Sequence, residues 1–257
     1  MKVASWNVNG IRACTKNGFL DWLATKPVEI ICLQEVRADV EQIPAEIIGH
    51  LHYTHQHWNA AERKGYSGVG ILSQIKPELV IKGLDCPEFD CEGRVLTAVF
   101  KGFTVVTAYF PNSQSAGARL DYKVRFCERL RRFAEEFEKT YNQPVILNGD
   151  FNIAHREIDL ARPKENEETA GYLPRERAWM DAFIGAGWTD SFRRFHPTAT
   201  EQYSWWSARQ GARPRNIGWR IDYNAVSPSG ADKIKGAGIW QDVMGSDHCP
   251  VWIDFGL

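Results

Sequence analysis

No uninterrupted apolar run in the sequence approaches 18 residues, and Lys2 is followed by Val3-Ala4-Ser5-Trp6-Asn7 rather than by an apolar core. Neither a membrane-spanning helix nor a secretory leader is therefore expected. No CxxC pair occurs among the six cysteines, Cys14, Cys32, Cys86, Cys91, Cys127 and Cys249. That argues against a zinc site or a disulfide framework and for free thiols in a soluble, cytoplasmic protein. No internal repeat, low-complexity tract or linker divides the chain, so residues 1–257 are expected to form one domain. Excess charge is missing as well: a net charge of -1 gives no global field for a polyanion. Any nucleic-acid surface must then be a local concentration of Lys and Arg.

What is present is a series of short apolar runs that end in polar groups. With 44% hydrophobic residues the chain can bury a large core. In Pro144-Val145-Ile146-Leu147-Asn148-Gly149-Asp150-Phe151-Asn152 a buried-strand pattern breaks at a glycine, and a period of two would send Asp150 and Asn152 to one side and Phe151 to the other. Such a carboxylate and amide suit phosphate chemistry, the first to orient or deprotonate water or bind a cation, the second to donate to a developing oxyanion. Alone, the same residues would read as a turn. The pattern recurs, however, at Asn7-Val8-Asn9-Gly10 after the strand Lys2–Trp6, at Gln34-Glu35 after Glu29–Leu33, and at Tyr109-Phe110-Pro111-Asn112 after the hairpin Arg94–Phe100/Phe103–Ala108. Asp247-His248 precedes the strand Val251–Phe255 and offers a metal ligand and an imidazole.

Gly18–Thr25 and Arg119–Tyr141 carry apolar residues at helical spacing, the second with its charges on a solvated face. His155–Arg177 is a long polar segment of the kind that is functional or disordered. From Tyr203 to Tyr223, Arg209, Arg213, Arg215 and Arg220 interleave with Tyr203, Trp205, Trp206, Trp219 and Tyr223, against Asp222 as the one acid. Guanidinium groups beside flat apolar surfaces are the recipe for a nucleic-acid contact. Strands in both halves and helices between them point to two sheets facing each other with helices outside. The polar tips at Asn7, Glu35, Tyr109, Asp150, Asn152, Asp222 and His248 would then gather along one edge.

The ordered set Trp6–Gly10, Leu33–Glu35, Gly65–Gly70, Tyr109–Asn112, Gly149–Ala154, Gly218–Tyr223 and Ser246–Pro250 resembles the exonuclease III family of class II abasic-site endonucleases over essentially the whole chain. The resemblance implies a DNase I-like, four-layer α/β sandwich of two facing mixed sheets flanked by helices. It also implies Mg²⁺-dependent cleavage 5′ to an abasic site, with Mn²⁺ a plausible substitute, leaving a 3′-hydroxyl and a 5′-deoxyribose phosphate. Removal of blocking groups from 3′ ends and 3′-to-5′ exonuclease action come with it. The partner would be double-stranded DNA with abasic sites or blocked 3′ ends, bound by a monomer at the nucleoid.

Carried over to this sequence, the pattern makes Glu35 the principal metal ligand, with Asn7, Asn9 and Asp247 near it, while Asp150 and Asn152 hold the attacking water or a second cation. Hard oxygen ligands and a cation neutralise the pentavalent transition state. Asp222 would orient His248, and Tyr109 and Asn112 would hold the phosphate; whether Asp150, His248 or Tyr109 takes the water proton stays open. Trp205, Trp219 and Ile221 would wall a pocket for a flipped, baseless sugar, which Gly171 leaves uncrowded. Arg12, Tyr66, Arg94 and Asn166 match DNA-facing positions. Ser115 and Arg209 stand where the mammalian branch inserts an arginine and a methionine into the duplex, so the grip on kinked DNA is expected to differ. Two other readings are a non-catalytic nucleic-acid-binding relative and a phosphatase or phosphodiesterase of the same superfamily acting on a non-DNA substrate.

Overall fold

Ile30-Ile31-Cys32-Leu33 and Val145-Ile146-Leu147 are apolar at every position, as strands covered on both faces must be, and both lie inside six-stranded sheets. The computed structural model describes residues 1–257. Its strands are β1 (Lys2–Asn7), β2 (Ile30–Gln34), β3 (His55–Asn59), β4 (Val69–Ser73), β5 (Leu79–Lys82), β6 (Val95–Phe100), β7 (Phe103–Tyr109) and β8 (Val145–Asp150). They continue with β9 (Thr189–Asp190), β10 (Trp205–Trp206), β11 (Gly218–Trp219), β12 (Asp222–Val226), β13 (Ile234–Ile239) and β14 (Val251–Phe255). One sheet has the order β13-β14-β1-β2-β4-β3, the other β5-β6-β7-β8-β12-β9, and β10-β11 form a separate ribbon.

Each sheet is mixed because it contains a single parallel pair. β1 pairs with β2 in parallel, with Asn7 opposite Gln34, and β7 pairs with β8 in parallel, with Tyr109 opposite Asp150. Parallel neighbours need a crossover, supplied by the helical stretch between Ile11 and Thr25 in the first case and by the helix Leu120–Tyr141 in the second. The two crossovers put the C-terminal ends of the pairs at one edge of the molecule.

Three apolar layers hold the sandwich together. Val3, Ile30, Val69, Leu96, Val105, Ile146, Val226 and Ile253 meet between the sheets. Phe126, Leu130, Phe133, Met180 and Phe183 pack on the outer face of the second sheet, and Ile11, Phe19, Trp22 and Ile47 on that of the first. The layer between the sheets changes character along the strands. Val3, Ser5 and Asn7 follow one another on β1, as do Val105, Thr107 and Tyr109 on β7 and Ile146, Asn148 and Asp150 on β8. Gln34 Nε2 bridges the sheets at the middle level, donating to Ser5 Oγ at 3.0 Å and to Thr107 Oγ1 at 2.8 Å. Polarity thus rises in two-residue steps from the apolar centre to the functional edge.

Three local expectations change. Gly149 does not break its strand: at φ +140 it sits inside β8, where a Cβ would lie 1.9 Å from the Ala108 carbonyl oxygen, so only glycine lets the parallel pair close. The helix Leu120–Tyr141, stopped by Asn142 at φ 47, has a solvated face, but Lys123 is fully buried. The polar segment 155–177 contains the turns Glu157–Asp159 and Pro163–Asn166 and runs into the helix Pro174–Gly185. Its Asp159, Leu160 and Tyr172 are buried, because Asp159 pairs with arginines brought from later in the chain. No helix is long and apolar enough to cross a membrane.

Candidate active site

Asn7, at the tip of β1, lies between two carboxylates. Its Nδ2 donates to Glu35 Oε2 at 2.9 Å and to Asp150 Oδ2 at 2.8 Å, while its Oδ1 accepts the Asn9 N–H at 2.9 Å. The amide therefore separates like charges that come from different sheets. Asn7 thus turns its donor toward the acids, while its oxygen holds the Asn9 backbone.

Asn152 is wound back onto Asp150. Its left-handed backbone, φ 52, lets its N–H reach Asp150 Oδ1 at 2.8 Å and its Nδ2 reach Asp150 Oδ2 at 3.2 Å and the Phe110 carbonyl at 3.0 Å. Asn112 Nδ2 donates to Asn152 Oδ1 at 3.1 Å. Phe151 turns the other way and is buried in the apolar layer under the long helix, as the alternation required.

His248 Nδ1 lies 2.9 Å from Asp222 Oδ2, and Nε2 lies 3.9 Å from Asp150 Oδ2. Ser204 fixes Asp222 from behind, its hydroxyl donating to Oδ2 at 2.6 Å while accepting the N–H groups of Ile221 and Asp222 at 3.1 Å each. Burial works against a charged imidazole, but Asp222 and then Asp150 hold its pKa up to about 10, so the ring is an imidazolium at neutral pH. Burial likewise raises Asp150, to about 7, against the pull of His248 and with the push of Asp222. Burial, with Glu35 and Asp150 nearby, raises the Tyr109 phenol well above its ordinary value. Tyr109 and His248 are therefore proton donors here, and Asp150 is the group whose pKa suits a base near neutral pH.

Asp150, Asn152, Asn112 and His248 line a cavity of about 210 Å³ whose other wall is Trp205, Trp219, Ile221 and Gly171, while Asn7, Tyr109 and Asp222 stand behind its lining. Trp205 pairs with Trp219 across the β10-β11 ribbon, edge to face at 6.2 Å, and its indole N–H donates to Asp247 Oδ2 at 3.1 Å. Asp247 also accepts from Asn9 Nδ2 at 2.8 Å. Despite burial, its carboxyl is held below the ordinary range by His248, Trp205 and Asn9.

The expected basic patch does not exist as a surface. Arg220 is fully buried, with Nε 2.8 Å from Asp159 and Nη2 2.7 Å from Asp190. Arg213 covers the Trp206 ring and donates to the carbonyls of Ser246, Gln241 and Val243. Tyr203, Trp206 and Tyr223 are buried, Arg213 is half-buried, and of the four arginines only Arg209 and Arg215 remain exposed. Arg94, expected at the DNA face, is also buried: it spends its guanidinium on Glu92, the Tyr109 carbonyl and the Tyr66 hydroxyl, the last at 2.7 Å. Asn166 donates to the Ala161 and Arg162 carbonyls, outside the cavity. Arg12 and Arg209 are exposed and also outside it. Arg37, which lines the cavity and donates from Nε to Glu35 Oε1 at 3.0 Å, was not anticipated, although it stands two residues after Glu35. Thr169 and Ala170 line it too, from the middle of the long polar segment.

Residues 4–248 match the model of the endonuclease/exonuclease/phosphatase family. The chain belongs to that family. Within it, the chain is 46% identical over 252 residues to an exodeoxyribonuclease of Bacillus subtilis, covering 98% of both proteins. It is 41% identical to the DNA repair nuclease APEX1 of Danio rerio, over 98% of this chain and 81% of that protein. A variant of the Neisseria 3′ phosphatase NExo, solved with a product DNA hairpin, superposes with a TM-score of 0.87 at 30% identity over all of both chains. The resemblance to exonuclease III-type endonucleases, and the sandwich of two mixed sheets that it implied, both hold.

The family's chemistry uses a divalent cation, and the donors present fit one. Asp150, Asp222 and His248 form the tightest group, their ligating atoms within 4.8 Å of one another. In that group the ring is held protonated between Asp222 and Asp150, and a protonated ring is no ligand. Glu35, Asp247 and Asn9 are the better set: all three line the cavity, and Asn9 Oδ1 is buried without a hydrogen-bond partner. Hard oxygen donors of this kind suit Mg²⁺ or Mn²⁺ rather than a soft metal.

Proposed function

We propose that this protein is a DNA-repair phosphodiesterase that cuts the strand 5′ to an abasic site, leaves a 3′-hydroxyl and a 5′-deoxyribose phosphate, and clears blocked 3′ ends. The observation that carries this reading is that one small cavity is walled by Trp205, Trp219 and Ile221 on one side and by Asp150 and His248 on the other. Aromatic walls accept the apolar face of a sugar, and the limited volume favours a flipped unit without its base. The site that would select the lesion is the site that would cut.

Mg²⁺ is the cation we assign to Glu35, Asp247 and Asn9, where it would neutralise charge on the scissile phosphate and the leaving oxygen. Asp150 orients the attacking water and takes its proton; Asn152, held on Asp150, fixes that carboxylate. The His248 imidazolium, anchored by Asp222, donates to a non-bridging phosphate oxygen, and the neutral Tyr109 phenol and the Asn112 amide complete the hold on the phosphate. End processing as the principal duty is the second reading, favoured by the similarity to a 3′ phosphatase.

The test is cleavage of an end-labelled duplex carrying one tetrahydrofuran abasic analogue, with Mg²⁺ or with EDTA, beside an undamaged duplex and one ending in a 3′-phosphate. A single Mg²⁺-dependent cut 5′ to the analogue is expected. Loss of the 3′-phosphate with no cut at the analogue would favour the second reading, and no activity on any of the three would return the protein to a binding role.

A further inference from the structure

Lys123 and Glu176 are 0% and 1% exposed and form an ion pair at 2.6 Å, yet neither touches the cavity. A buried pair is by itself weak evidence of stability, since the loss of hydration offsets the attraction. What distinguishes this one is where its other hydrogen bonds go. Glu176 Oε2 accepts the N–H groups of Gly171 at 2.7 Å and Leu173 at 2.9 Å, and Oε1 accepts the Ser113 hydroxyl at 2.6 Å. Lys123 Nζ extends the chain to the carbonyl of Asn152 at 2.7 Å.

Gly171 in turn lies against both sides of the site. A Cβ at this glycine would be 3.2 Å from the Asn152 carbonyl oxygen and 3.2 Å from the Trp219 ring, and the Gly171 carbonyl accepts the Ala154 N–H at 2.8 Å. One carboxylate therefore holds the cavity wall, the residue after Asn112, and, through Lys123, the backbone of Asn152. Lys123 thereby fixes the backbone of a residue in the left-handed region, which asparagine tolerates better than most side chains.

We propose that Glu176 and Lys123 are positioning residues that lock the pocket wall at Gly171 and the backbone of Asn152 into one unit, so that seating the sugar and aligning the reaction are a single event. The proposal rests on the nuclease reading above.

Steady-state kinetics on the tetrahydrofuran duplex and on an undamaged recessed 3′ terminus test it, using wild type, Glu176→Gln, Lys123→Met, Lys123→Arg, Asn152→Ala and the double variant Lys123→Met/Asn152→Ala. Displacing a catalytic group by an ångström costs on the order of 100-fold in rate, so Lys123→Met should lower kcat by about that factor with KM little changed. Lys123→Arg, which keeps the charge and donors, should recover part of the loss. Glu176→Gln, which cannot accept on both sides, should also narrow the preference for the abasic duplex. If Lys123 acts through Asn152, the double variant will be no slower than Asn152→Ala alone. Thermal melts identify variants that fold; if Glu176→Gln does not, the Lys123 variants and the cycle decide. Unchanged kcat in folded Lys123→Met, or losses that multiply in the double variant, would overturn the proposal. An inactive wild-type protein would overturn the nuclease reading and this proposal with it.

Discussion

The imidazole of His248 stands between Asp222, at 2.9 Å from Nδ1, and Asp150, at 3.9 Å from Nε2. Each ring nitrogen thereby faces a carboxylate, which favours the protonated ring, and its charge eases the repulsion between the two acids.

The pH profile of kcat/KM should show both groups. Activity rises with pH as Asp150, raised to about 7, loses its proton, and falls as His248, held up to about 10, loses its own. Asp222→Asn removes the larger of the two attractions on the ring, so the alkaline limb should move to lower pH. A limb that stays in place in that variant would assign it to another group.

Asp150→Asn should lower cleavage of the abasic duplex by about 10²–10⁴-fold, the usual contribution of a general base. DNA binding measured by anisotropy should be largely kept. Wild-type rates would remove Asp150 from the mechanism.

Trp219→Ala should raise cleavage of undamaged termini relative to abasic sites, because the ring forms one wall of the 210 Å³ cavity. The ratio of kcat/KM values for the two substrates measures this, and an unchanged ratio would move the specificity elsewhere.

Asp159→Ala should destabilise the fold by about 3–5 kcal/mol, the penalty for leaving buried charges unpaired, since Arg220 and Arg193 lie 2.8 and 2.6 Å from Asp159. Burial opposes the carboxylate, yet Arg220 and then Arg193 hold its pKa down to about 2. The folded pKa is below the unfolded one, so this contribution is present above about pH 4 and fades as pH falls through about 2. Urea unfolding of wild type and variant should differ at pH 7 and converge toward pH 2.

The contrast between the buried cations Arg220 and Lys123 and the strand tips shows what a sequence makes legible. Asn7, Glu35, Tyr109 and Asp150 could be placed at one edge because a short apolar run that ends in polar residues states both its direction and its end. Arg220 and Lys123 could not be placed, because a buried cation and a solvated one are the same letter until the partner is known. Their partners lie far off, Asp159 61 residues before Arg220 and Glu176 53 residues after Lys123. The cavity wall at Thr169 and Ala170 was hidden for a related reason: a polar segment acquires structure only from the buried groups that it caps.

The gradient of polarity between the sheets makes the site a gauge of how the sheets are seated. Asn7 and Glu35 come from one sheet, Asp150 and Asp222 from the other, and the bond from Asn7 to Asp150 at 2.8 Å spans them. Sliding one sheet against the other by less than a residue would separate Asp150 from the Asn7 amide while leaving every strand intact. Activity should consequently vanish at a lower denaturant concentration than circular dichroism does, and enzymatic assay would be the finer measure of whether a preparation of this protein is correctly assembled.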